Sequence, residues 1–135
     1  MSAKDLYRGF DNSLYETEAR ERWGDASVDR SNARWSALGE GGQARYRAEN
    51  QATTLALAEA MRERVPVDDA RTQALIAEHY RQVCVFWTPD AAAYEALGRM
   101  YVEDSRFTAT YDAVAPGLAI YLRDAMAVFA RERLA

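Results

Sequence analysis

At 135 residues with a formal charge of −4, the chain has the length of one domain, enough to bury a core without disulfides or metal. Lys and Arg alternate with Glu and Asp in Glu16 to Arg22 and Arg62 to Arg64, which reads as solvated helix surface and argues against nucleic-acid binding by this chain itself. One cysteine and no leader-like segment point to the cytoplasm, and no apolar run approaches the roughly 20 residues that a membrane helix needs.

Taken in chain order, the spacing of apolar residues predicts helices nearly throughout and no strand. Lys4 to Phe10 forms a short helix, Ser13 to Trp23 a second with Ser13 as its cap, and Val28 to Leu38 a third. Gly39, Gly41 and Gly42 then break the chain, dividing an N-terminal segment (1–42) from a core (43–135) within one domain. Gln43 to Arg64 reads as a long helix carrying Tyr46, Leu57 and Met61, closed by Val65-Pro66 because the residue before proline avoids the α region. Asp68 or Asp69 starts the next helix, which runs to Trp87. Thr88-Pro89-Asp90 restarts the chain, with Thr88 as cap and Pro89 in the first helical position. A helix with Tyr94, Leu97 and Tyr101 on its apolar face ends at Asp104-Ser105, a pair suited to capping the helix that carries Phe107, Tyr111 and Val114. Pro116 opens a last helix.

At 100° per residue, His79, Tyr80, Val83, Phe86 and Trp87 fall within one apolar arc with Leu75 and Ile76. The only histidine therefore points inward. Three readings stay open for it: a core imidazole bonded to a carbonyl or tyrosine, a donor on the wall of a ligand pocket, or a metal or haem ligand. Tyr94, Tyr101 and Tyr111 stand where a plain core would use Leu or Phe, and buried hydroxyls need partners, so a cleft with apolar walls and scattered donors is one explanation for them and for Phe107. Trp23 and Trp35 sit in helices too polar to build a core alone and should close over the remainder of the protein or a ligand. Cys84 lies at the flank of the arc and reads as a packed thiol. No constellation for catalysis is present: there is no phosphate-binding glycine loop, no HExxH and no paired-cysteine motif, and one histidine cannot supply the usual zinc or di-metal sets. The chain reads as a non-enzyme without a cofactor.

Leu97 to Ala109 and Ala115 to Ala125, with the Phe86-Trp87-x-Pro89 turn, His79 and Gln82, and Glu21-Arg22-Trp23-Gly24-Asp25 with Ser31 and Arg34, together resemble the TipA-like antibiotic-recognition domain. This is the effector-binding module that follows the DNA-binding half of some MerR-type transcription activators. Ser105 stands where that family usually has proline, and Gly39-Glu40-Gly41-Gly42 replaces an aromatic-containing stretch. The family's reactive thiol falls at Thr88 to Asp90, so Cys84 does not take its place. The resemblance implies an all-α, globin-like multi-helix bundle with a central ligand cleft, closed by a mobile N-terminal helical lid. It implies recognition of an apolar antibiotic, thiopeptide-like macrocycles included, with Trp23, Trp35, His79, Tyr80, Val83, Phe86, Trp87, Tyr94, Tyr101, Phe107 and Tyr111 around the ligand. DNA would be reached only through a separate N-terminal domain, with the full regulator a dimer and this chain alone a monomer. The alternatives are a free-standing drug-sequestering protein, a haem-binding helical protein and a helical protein-interaction module.

Overall fold

The structure is a computed structural model that describes residues 12–135, with side chains from residue 17 onward; the short helix expected at Lys4 to Phe10 lies outside the described residues. Within them the chain forms seven α-helices: α1 (Asn12–Trp23), α2 (Asp25–Ala37), α3 (Gly39–Arg62), α4 (Ala70–Val83), α5 (Ala91–Glu103), α6 (Ser105–Val114) and α7 (Leu118–Phe129). The last of these continues into a π-helical turn, Ala130–Leu134. Among the described residues no single helix is long and apolar enough to cross a membrane.

Three of the helices begin on an aspartate whose carboxylate accepts a backbone N–H. Asp69 accepts from Arg71 at 2.9 Å, Asp90 from Ala93 at 2.9 Å and Asp104 from Arg106 at 3.0 Å. Each satisfies an orphan donor at the positive end of the helix dipole. Asp90 thus takes the capping role expected of Thr88, because Asp90 has the extended backbone that a cap requires, and Pro89 is buried just ahead of it. Helix α3 stops as expected before Val65-Pro66. Val65 N–H donates to Ala60 C=O and Arg64 N–H to Met61 C=O, both at 2.9 Å, the paired closure that puts Arg64 at φ 61°.

Several boundaries differ from the reading of the sequence, among them the start of α2 at Asp25 where Val28 was expected and of α5 at Ala91 where Pro89 was expected. The glycine cluster does not break the chain: Gly39, at φ 68°, marks a sharp corner after Leu38, but Gly41 and Gly42 are helical within α3. At Gly42 a Cβ would press on Leu38 at 3.0 Å, so glycine suits the corner, and the Gln43 side-chain amide donates to Trp35 C=O at 3.0 Å across it. Helix α4 ends at Val83, not Trp87, because the chain tightens into turns, with Val85 N–H on Gln82 C=O and Phe86 N–H on Val83 C=O. Pro116 lies in a turn, and α7 starts only after Gly117, whose φ of 90° is accessible to glycine at little cost.

The core lies among α3 to α7. Leu57, Ala58, Ile76, Tyr94, Phe107, Leu118, Leu122 and Met126 are all essentially inaccessible to water. Helices α5 and α7 approach closely at Gly98, where a Cβ would stand 3.3 Å from Arg123 Cα and 3.4 Å from Met126. The N-terminal pair contributes little to this interior: α2 buries none of its side chains fully, and Ala19 is the one buried residue among the described side chains of α1.

Candidate functional site

The eleven residues singled out from the sequence separate into an inner and an outer set. His79, Tyr94, Tyr101, Phe107 and Tyr111 are buried in the core. His79 Nδ1 lies 2.7 Å from the Tyr94 hydroxyl and Nε2 lies 3.3 Å from the Tyr101 hydroxyl. A neutral imidazole has one donor and one acceptor nitrogen, so one tyrosine donates to the ring and the other accepts from it. Burial drags the His79 pKa down to about 4, which keeps the ring neutral at physiological pH. Both nitrogens being engaged, iron ligation would require breaking this triad. Around it, Tyr101 meets Tyr111 at 4.8 Å and Phe107 at 5.6 Å between ring centroids. Burial raises the Tyr94 pKa well above the ordinary phenol value. Among the described residues these inner rings are buried and touch one another.

Tyr80 and Val83 border that core. The Tyr80 ring sits between Tyr94 and Phe129, at 5.0 and 5.4 Å, and its hydroxyl donates to Pro89 C=O at 2.7 Å, anchoring the loop that carries Trp87. Val83 packs against the core from the end of α4. Cys84 is half-buried beside the Tyr80 hydroxyl, whose pKa is raised by burial first and by this thiol second.

The outer set lies where α2 meets α3 and the α4–α5 loop. Trp35 stacks on Phe86 at 5.8 Å, Tyr46 meets Trp35 edge-on at 5.5 Å, and Tyr46 meets Phe86 edge-on at 5.4 Å. These separations are those at which aromatic pairs attract beyond their buried area. Arg34 donates to Phe86 C=O at 2.9 Å, and Trp87 stands exposed next along the chain. Farther along the α3–α4 seam, Asn50 donates to Gln82, which donates to Thr53. Burial pushes the Tyr46 phenol up. Tyr46 is the member of this trio that the sequence did not mark as a site residue, since no periodicity links it to Trp35 or Phe86.

Trp23 lies elsewhere, half-exposed on a cleft between α1 and the α5–α6 corner. The cleft has a volume of about 340 Å³ and is lined by Glu18, Ala19, Glu21, Arg22, Trp23, Met100, Asp104 and Arg106. Arg106 grips Asp104 with Nε on Oδ1 at 3.0 Å and a second nitrogen on Oδ2 at 2.8 Å, and it pairs with Glu18 across the gap. That guanidinium holds the Asp104 carboxyl below its usual range. Arg22 donates to Met100 Sδ at 3.5 Å and lies over the Trp23 ring at 5.6 Å. The polar half of this wall is missed by a search for apolar arcs; the run Glu21-Arg22-Trp23 was its visible trace. Among the described residues no three His, Cys, Asp or Glu are grouped to hold a metal ion.

Residues 15–129 match the family described as the TipAS antibiotic-recognition domain. The chain is 35% identical to the HTH-type transcriptional regulator SkgA of Caulobacter vibrioides, an alignment covering 98% of the chain and 55% of the relative. It is 31% identical to the HTH-type transcriptional activator TipA of Streptomyces coelicolor, covering 90% and 49%. The chain thus spans about half the length of the curated relatives it matches. Its fold superposes on that of Streptomyces lividans TipAS in complex with nosiheptide with a TM-score of 0.83 at 28% identity, covering 97% of this chain and 93% of the other.

Proposed function

The chain belongs to the TipAS antibiotic-recognition family, and from that premise we propose that it is the effector-binding domain of a MerR-type transcriptional activator, closing its N-terminal helices over an apolar macrocycle. The observation that carries this reading is the superposition over 97% of the chain on a thiopeptide-bound domain. It includes the N-terminal helices. The output is binding, not bond-making, so the domain is read as a receptor and not an enzyme.

The ligand would lie along the seam between the α1–α2 pair and the core. Trp35, Phe86 and Trp87 offer it apolar surface at one end of α5 and Trp23 at the other, with Tyr80 and Val83 bordering the seam. His79, Tyr94, Tyr101, Phe107 and Tyr111 stand behind as a rigid backing, held by their own hydrogen bonds and ring contacts. Among the described residues, the contacts that join the pair to the rest include the Arg34 bond to Phe86, the ring contacts of Trp35 with Phe86 and Tyr46, the Arg22 bond to Met100 and the Arg106–Glu18 ion pair. Such an element is suited to docking when ligand adds apolar area and to releasing without it, which shifts a population between open and closed states. DNA binding would belong to a separate domain of the longer regulator, which would transmit closure as a dimer.

Nosiheptide is the probe of choice. Saturable quenching of tryptophan fluorescence is expected, together with amide exchange across α1 and α2 slowed by at least about tenfold while α4 to α7 change little. Absence of saturable binding, or equal protection of both regions before ligand is added, rejects the reading.

A further inference from the structure

We propose that Met100 is a reversible oxidation site whose sulfoxide fastens α1 to α5. This goes beyond the receptor reading, since it requires no antibiotic. Met100 sits where the core meets the cleft bordered by Trp23: it is 9% exposed, lines that cleft, and its sulfur accepts from Arg22 at 3.5 Å. Met61 and Met126 are placed differently. Met126 is sealed inside the core, and Met61 is half-buried where α3 approaches Gly117. The cleft volume of about 340 Å³ has room for a small hydroperoxide beside Met100.

The oxidant is a hydroperoxide, which the step consumes. The sulfur lone pair attacks one peroxide oxygen, the O–O bond breaks as the S–O bond forms, and the proton on the transferred oxygen passes to the departing one. With hydrogen peroxide the products are methionine sulfoxide and water, the sulfur losing two electrons and the peroxide gaining them. Arg22, whose guanidinium is directed at this sulfur, stabilises the negative charge that grows on the departing oxygen. The product changes the character of the contact. A thioether is a weak acceptor, whereas the sulfoxide oxygen is a strong one, so the bond from Arg22 becomes charge-assisted. Arg22 and Met100 both line the cleft, so the new oxygen meets the guanidinium there and core packing is spared. Arg22 belongs to α1 and Met100 to α5, so oxidation ties the N-terminal pair to the core. Methionine sulfoxide reductases, which return the thioether, make the tie reversible.

The test treats the whole chain with hydrogen peroxide and then with dithiothreitol, which clears any reversibly oxidised thiol at Cys84 and leaves sulfoxides. Peptide mapping by mass is expected to find sulfoxide at Met100. Amide exchange across α1 is expected to slow by about tenfold while α3, α4 and α7 keep their rates, and sulfoxide reductases should restore the original rate. Met100→Gln, which presents a carbonyl oxygen at similar reach, should slow α1 without oxidant, and Met100→Leu should not respond. Arg22→Ala should oxidise more slowly at Met100 and, once converted, gain no protection, whereas Met61→Leu should behave as the parent. The proposal is overturned by a Met100 left intact when Met61 is converted, by α1 exchange unchanged or faster in the sulfoxide form, or by protection that survives Arg22→Ala. No macrocycle takes part, so these outcomes leave the receptor reading untouched, and a failure of nosiheptide to bind leaves the oxidation site standing.

Discussion

The α1–α2 pair and the α3–α7 core meet water in opposite ways. The core packs Tyr94, Phe107, Leu118, Leu122 and Met126 beyond the reach of solvent and satisfies even its histidine internally. The pair leaves Trp23 half-exposed and is fastened, among the described residues, by the ring contacts of Trp35 with Phe86 and Tyr46 and by polar bonds. Burial makes a region stable alone, while an exposed seam makes one responsive, and under the proposed reading the two properties belong to separate helices.

Truncation inside the core should have the largest effect. Phe107→Ala is expected to cost about 3–5 kcal/mol in denaturant unfolding, with α3 to α7 melting together. Acid should come next. His79 takes up a proton at about 4 in the folded state, against a model-peptide value near 6.5, so the unfolded chain binds the proton first. The stability contributed by its neutral burial is whole above pH 6.5 and is lost as pH falls toward 4, by about 3 kcal/mol in all. Urea unfolding at pH 7 and pH 4 measures this loss, and His79→Gln should flatten the dependence.

Gly98→Val tests the α5–α7 approach, where the added methyl groups press on Arg123 backbone and Met126. A loss of about 1–3 kcal/mol is expected from the shift in thermal midpoint. Trp35→Ala should sharpen the contrast, because its stacking partners lie on the seam. Exchange should speed up across α1 and α2 by an amount equivalent to about 1–2 kcal/mol, while core amides keep their rates. A uniform loss of protection would instead make the two regions one cooperative unit. Glu18→Gln should have the smallest effect, under about 1 kcal/mol, since both partners of that ion pair are partly exposed. The difference between Glu18→Gln and the parent in exchange at α1 should vanish in high salt.

Much of the architecture is legible because its causes are local. The all-helical class, the stop at Val65-Pro66 and the caps at Asp69 and Asp104 follow from spacing and from the hydrogen-bonding needs of helix ends. The inward direction of His79 follows from its place in an apolar arc. Phe86 shows where local reasoning stops: it continues the arc of α4 on a helical wheel, yet the chain turns after Val83 and Phe86 stacks on Trp35. The glycine cluster shows the same limit, being helical where propensity alone would break it.

From composition and periodicity alone come the helices, their order and the set of residues that shun water. Which of those residues seal against one another and which remain at a seam was decided only by folding. That choice depends on partners far apart in the chain, such as Trp35 with Phe86 or Glu18 with Arg106, 88 positions away. Apolar patterning states that a side chain seeks cover without specifying which distant surface provides it.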